Sequence, residues 1–318
     1  MGPLAAAFRC LHHPGRAVPQ GRGHGIVRTR AAAAGRVHAK THAGERRMNA
    51  ATLTSPAARI QAGRADGAAG AAAYAYEARG VAKKFGANVV IEDLSIGFEP
   101  GMLHSILGPN GAGKTTLFNL LTRDLPVSAG EILLNGVPVT HLKPHQIARR
   151  GVGRSYQISS VYLELTFLEN VWLAAYRACH GGRMGWWRRV ASYGELRREA
   201  GELLRKLGLG QYENTPASAV SYGDQRLLEI AVTLATRPAI LLLDEPTAGL
   251  SQRETERVKD FIAAIKPDYT IIMIEHKMNV VMEISDRIHV MNRGALIAAG
   301  TAEEISRNQA VHAAYFGL

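Results

Sequence analysis

Long apolar runs are missing from these 318 residues. Nowhere do about 18 apolar residues follow one another, the length a helix needs to cross a bilayer, so no segment reads as membrane-spanning. Cysteine is nearly absent: Cys10 and Cys179 are too few for a disulfide framework. No repeat with a period of about 20–50 residues occurs, which excludes solenoids and propellers. Acidic residues are scarce at one end only. Residues 1–47 hold nine Lys/Arg against the single Glu45, eight of the net eleven positive charges. The remaining body is nearly balanced, so the basic total does not argue for nucleic acid, and no nucleic-acid partner is expected.

What is present divides the chain in two. Residues 1–73 are rich in Ala, Gly, Arg and His, have no helical or strand period, and carry few large apolar side chains. Such a segment cannot offset its ordering entropy by burial. It is expected to be a disordered basic extension, with Met48 as a candidate true start. Its Arg-rich, acid-poor composition is also shared with organelle transit peptides. Residues 74–318, with most of the large hydrophobic side chains, are expected to form one globular unit.

That unit opens with short strands at Tyr76–Val81, Val89–Ile91 and Leu94–Phe98. Glu131–Leu134 and Val137–Val139 follow, joined by Asn135-Gly136, a pair that tolerates the positive φ of a type I′ hairpin turn. Residues 144–215 lack strong strand signals and carry helical patterns, which places a helical subdomain at about 144–220. Thr166 with Glu169 three positions on is a capping box opening a helix, and Glu195–Leu207 sets Leu196, Ala200, Leu203, Leu204 and Leu207 on one face. Gly181–Arg189 interrupts these helices; its Trp186, Trp187, Arg188 and Arg189 either face lipid headgroups or cover the subdomain's own surface. Aliphatic runs at Ile240–Leu243 and Thr270–Ile274 read as strands buried on both faces. The helical spacing of Glu254–Lys266 and a helix near Met278–Ile284 alternate with these runs, and a last hairpin spans Arg287–Ala299.

Gly108-Pro109-Asn110-Gly111-Ala112-Gly113-Lys114-Thr115-Thr116 fits G-x-x-x-x-G-K-[ST]. Leu103–Leu107 before it reads as a buried strand and Leu117–Thr122 after it as a helix. Glycines there let backbone N–H groups approach phosphate oxygens without an intervening Cβ, and the helix directs its positive end at the same oxygens. Lys114 can reach the β/γ-phosphates and the Thr115 hydroxyl can ligate Mg²⁺. A nucleoside triphosphate, ATP or GTP, is the implied ligand. Asp244, ending the Ile240–Leu243 run, is the carboxylate expected to complete the Mg²⁺ shell, and adjacent Glu245 can polarise an in-line water. Ser221 and Gly223 precede the amphipathic stretch Arg226–Thr236; they fit either a second anion site or an ordinary N-cap.

Together these residues resemble the ATP-binding subunit of an ATP-binding-cassette transporter, over Tyr74–Leu318. Val220-Ser221-Tyr222-Gly223-Asp224-Gln225 is similar to the family signature, Gln157 to its Q-loop glutamine, and His276 to its switch histidine. Phe85 matches the adenine-stacking aromatic and Ala248-Gly249-Leu250-Ser251 the D-loop. Tyr222, Asp224, Ser251 and Lys277 depart from the commoner family residues at their positions.

The resemblance implies an α/β fold. A P-loop NTPase core with a mainly parallel sheet would carry a flanking antiparallel β subdomain and an α-helical subdomain. It implies ATP and Mg²⁺, with Glu245, His276, Gln157 and Lys114 catalytic and Thr115, Gln157 and Asp244 at the metal. It also implies a second ATP-binding subunit, homo- or heterodimeric, whose nucleotide meets Ser221 and Gly223. Two separate transmembrane permease subunits would dock near Gln157–Asn170. The chain would sit at the cytoplasmic face of the inner membrane. Ser221–Arg226, Glu275–Met278, Ser285–Ile288 and His312–Gly317 are most similar to branched-chain amino acid importers and their urea or amide relatives. Those systems imply a periplasmic solute-binding protein; lipopolysaccharide-export ATPases are the nearest competing resemblance.

Overall fold

The structure, a computed structural model, describes residues 74–155, 161–180 and 191–316. The 1–73 extension, Gln157 and the Trp186–Arg189 patch lie outside the described residues.

Two sheets carry the fold. A four-stranded antiparallel sheet has the order β2 (Asn88–Phe98), β1 (Tyr76–Phe85), β4 (Ala129–Leu134), β5 (Val137–Pro138). The β4–β5 turn is the expected one, with Asn135 at φ 50° and Gly136 at φ 76°. A six-stranded sheet has the order β10 (Ala295–Gly300), β9 (Arg287–Asn292), β3 (Leu103–Leu107), β8 (Thr270–Ile274), β7 (Ile240–Asp244), β6 (Val152–Ser155). All its pairings are parallel except β9–β10.

Strands β3, β7 and β8 are buried along their whole length; β7 and β8 read as aliphatic runs for that reason, while β3 also buries His104 and Ser105. Alternate residues serve opposite faces of the sheet. Leu103, Leu107, Leu241, Leu243, Ile271 and Met273 join the core shared with the helices, and Ile106, Leu242, Ile272 and Ile274 join the core beneath the antiparallel sheet.

Helix α1 (Lys114–Leu121) follows β3, the short α2 (Pro144–Arg149) precedes β6, and α7 (Met278–Ile284) follows β8. The helical region contains α3 (Phe167–His180) and α4 (Ala191–Lys206), packed with α5 (Tyr222–Ala235) through Phe167, Val171, Leu203, Leu204, Leu227 and Leu228. Thr166 caps α3 as expected: its Oγ1 accepts from Glu169 N at 3.2 Å, and Glu169 Oε2 accepts from Thr166 N at 2.9 Å.

Two expectations need correction. Residues 144–215 do contain a strand, since β6 pairs Val152–Ser155 with Ile240–Leu243 at the edge of the main sheet. Val89–Ile91 and Leu94–Phe98 are one strand, β2, with Glu92 and Asp93 exposed along it.

Candidate nucleotide site

The C-terminal ends of β3, β8 and β7 meet at one level, because Ile106 and Asp244 both stand opposite Ile274. Ligand sites of open α/β sheets form beyond such ends. From β3 the chain runs through Gly108–Gly113 into α1 (Lys114–Leu121). Gly113, at φ 96°, is the residue before the helix and adopts a backbone that side chains rarely tolerate. At Gly108 a Cβ would lie 2.3 Å from the carbonyl oxygen of Met291, so only glycine fits against β9 there.

Lys114 is buried, and its Nζ donates to the carbonyl oxygens of Gly108 at 2.7 Å and Pro109 at 3.0 Å. The ammonium is thereby held inside the loop rather than extended into solvent. Burial lowers its pKa and the negative charge of Glu245 opposes that shift. Thr115 and Thr116 follow in the first turn of α1, Thr115 exposed; Asn110 and Gly111 line the open side of the loop and Ala112 packs into the core.

Asp244 ends β7 almost fully buried. Its Oδ2 accepts from Arg154 Nη2 at 2.8 Å, whereas its buried Oδ1 has no hydrogen-bond partner among the described residues. An orphaned carboxylate oxygen beside a phosphate loop suits a hard divalent cation. Glu245 sits at φ 49°, uncommon for a residue with a side chain, and its Oε1 is 2.8 Å from His276 Nε2. Its backbone N–H donates to the carbonyl oxygen of Ile274, so the turn after β7 is tied to the end of β8.

Phe85 is 47% exposed at the end of β1, with Lys83 Nζ 4.8 Å from its ring centroid. Ser221 and Gly223 stand apart from the loop. Ser221 caps α5, accepting from Asp224 N, and Gly223 N donates to Glu254 Oε1 at 3.1 Å. Asp224 is buried and held by Ser221 Oγ at 2.8 Å and Arg257 Nη2 at 2.7 Å. The loop, Asp244, Glu245 and His276 therefore gather at the C-terminal ends of β3, β7 and β8, while the signature residues bond to α6 (Gln252–Ile265).

Three further side chains organise the site. Arg154 on β6 reaches Asn119 Oδ1 at 2.7 Å, Thr122 Oγ1 and Asp124 Oδ2 at 3.2 Å, and Asp244, joining α1 to β7. Glu275 is buried, accepting from Thr247 Oγ1 at 2.6 Å and from the backbone of His276 at 2.7 Å and Lys277 at 3.1 Å. Lys277 Nζ donates to Thr255 Oγ1 at 2.7 Å and to the carbonyl oxygen of Leu250 at 3.3 Å, which pins the start of α6 to the end of β8. No local pattern marks Arg154. For Glu275 and Lys277 the available signal was their place beside His276.

This arrangement is that of an ATP-binding cassette. Residues 91–248 match the family model described as ABC transporter, and the chain belongs to that family as an ATP-binding, ATP-hydrolysing transport subunit. The high-affinity branched-chain amino acid transport ATP-binding protein LivG of Escherichia coli (strain K12) is 39% identical over 244 residues, 75% of this chain and 96% of LivG. BraF of Pseudomonas aeruginosa, described in the same words, is 39% identical over 247 residues, 76% of this chain and 97% of BraF. Among solved structures, the ADP conformation of MJ1267, an ATP-binding cassette of an ABC transporter, superposes with a TM-score of 0.68 at 26% identity. That match covers 76% of this chain and 98% of MJ1267.

Proposed function

We propose that this subunit powers uptake of branched-chain amino acids, or of a related small amide or urea solute, through two separate permease subunits. The observation that carries the solute class is the 39% identity to LivG and BraF over nearly their whole lengths. Among the described residues no helix is long and apolar enough to cross a membrane, so transport requires permease partners. The chain then works as a peripheral protein at the cytoplasmic face of the inner membrane, supplied by a periplasmic solute-binding protein.

In this account Gly108–Gly113 wraps the ATP phosphates with backbone N–H groups, Lys114 binds the β/γ-phosphates, and Phe85 stacks on the adenine. Thr115, Asp244 through its free Oδ1, and Gln157 hold Mg²⁺, which when bound neutralises charge on the phosphates. Glu245 orients and deprotonates the attacking water, and His276, hydrogen-bonded to Glu245, fixes the carboxylate toward the γ-phosphate. Ser221 and Gly223 meet the γ-phosphate held by a second cassette, supplying donors that one subunit lacks. Hydrolysis removes the group that joins the two cassettes, so nucleotide state becomes mechanical state.

Deleting the gene in its own cell and measuring uptake of labelled leucine, isoleucine, valine and urea tests the solute. Loss of branched-chain uptake, restored by the intact gene and not by Glu245→Gln, is the expected result. Unchanged uptake of all four solutes would remove the proposed substrate class.

A further inference from the structure

The signature turn is engaged by a carboxylate of its own chain. Glu254, in the first turn of α6, accepts from Gly223 N at 3.1 Å through Oε1. Its Oε2 accepts from Ser251 N at 3.1 Å and Ser251 Oγ at 2.7 Å. Packing is equally close: a Cβ on Gly223 would lie 2.8 Å from Glu254 Cγ. The Ser251 hydroxyl and backbone N–H, then Gly223 N–H, hold the Glu254 carboxyl below its usual pKa, with Ser221 adding to the shift. It is therefore an anion at neutral pH.

Charge around it is unevenly compensated. The neighbouring Asp224 carboxylate is neutralised by Arg257 at 2.7 Å. Glu254 has no ion-pair partner among the described residues. An incoming phosphate seeking the Gly223 N–H thus meets a full negative charge already bonded to that donor.

We propose that Glu254 is a positioning residue that sets how much ATP is needed to pair two cassettes, by competing with the partner's γ-phosphate for the Gly223 N–H. This rests on the proposal that Ser221 and Gly223 bind that phosphate. Two chemical facts decide the direction. One N–H cannot serve a carboxylate and a phosphate oxygen equally, and like charges at that distance repel. Pairing therefore requires Oε1 to leave Gly223 while Oε2 keeps its bonds to Ser251. The capping box of α6 survives that rotation, so the helix need not fray when the cassettes close.

The test uses the full chain carrying Glu245→Gln to keep ATP intact, with and without Glu254→Gln. Gln preserves the size and the capping box, removes the charge, and can turn an N–H toward phosphate. Analytical ultracentrifugation across an ATP series reads the concentration for half-maximal dimer, and ATP binding to dilute monomer is the control. Glu254→Gln is expected to lower the pairing concentration by roughly tenfold, the scale of one charge-assisted hydrogen bond, without changing monomer affinity. An unchanged or higher pairing concentration overturns the proposal. A Ser221→Ala variant separates the two layers. If it pairs at the same ATP concentration as its parent, the signature reading itself fails and takes this proposal with it. If pairing is lost while Glu254→Gln has no effect, only the role of Glu254 is overturned.

Discussion

Glu245 Oε1 lies 2.8 Å from His276 Nε2, and Glu245 holds a left-handed backbone with φ 49° to place it there. A strained residue kept at the end of a buried strand is a common sign that its position is used. Glu245→Gln keeps the shape and removes the base. Turnover of the variant is expected to fall by ~10²-fold or more with ATP binding retained, the range for positioned acid–base groups. Steady-state hydrolysis beside equilibrium nucleotide binding checks it; near-normal turnover would remove Glu245 from the chemistry.

Arg154, on the strand next to β7, bonds to Asp244, the residue that precedes Glu245. Its side chain is 7% exposed and its partner Asp244 is 2% exposed. Removing one member of a buried charge network leaves the other unpaired, which typically costs ~3–5 kcal/mol. Arg154→Ala should therefore lower unfolding free energy by about 3 kcal/mol, with Arg154→Lys losing less because one charge contact survives. Urea unfolding measures this, and a cost below about 1 kcal/mol would show that the network is slack.

A buried histidine pair gives the fold a pH dependence. His104 Nε2 donates to the carbonyl oxygen of Glu99 at 3.0 Å, so its Nδ1 accepts from His289 Nε2 at 3.2 Å and both rings are neutral. Burial, reinforced by His104 and Arg287, pushes the His289 pKa down to about 3, and burial lowers that of His104. The unfolded chain takes up these protons near pH ~6.5 and the native chain does not. Stability from this pair is thus full above that pH and declines as pH falls toward 3. The urea midpoint should drop between pH 7.5 and 5.5, above the carboxylate range, and His289→Asn should flatten the slope. An unaltered slope would contradict the assignment.

Removal of residues 1–47 is expected to leave ATP hydrolysis unchanged, since every proposed site residue lies between Phe85 and His276. Comparing the specific activity of truncated and full chains checks it; a large loss would give the extension a role.

The parts of the fold legible in sequence were those with strong local signals. Aliphatic runs marked β7 and β8, a mostly apolar stretch before the glycine loop marked β3, the loop itself marked the phosphate site, and Thr166 with Glu169 marked a helix start. Strand β6 was not legible, because Val-Gly-Arg-Ser has neither an apolar run nor alternation; it is a strand because β7 offers it a parallel partner. The acids at Glu92 and Asp93 split β2 in sequence, yet they stand exposed on the outer strand of the antiparallel sheet. The C-terminal helices α8 (Ala302–Ser306) and α9 (Gln309–Phe316) are short, and only the Thr301–Glu304 capping box announces them. In the site, Arg154, Glu275, Lys277 and Glu254 act across 22 to 90 residues of chain, a separation that no local pattern encodes.

If each nucleotide is completed by residues of two chains, as proposed, two variants crippled on opposite sides of the site should rescue each other when mixed. Lys114→Ala removes the phosphate-loop side and Ser221→Ala the signature side, so each protein alone should be nearly inactive. A mixed pair contains one site with Lys114 from one chain and Ser221 from the other, and the mixture should hydrolyse ATP well above the sum of its parts. A mixture no more active than that sum, or full activity of Ser221→Ala alone, would contradict the account.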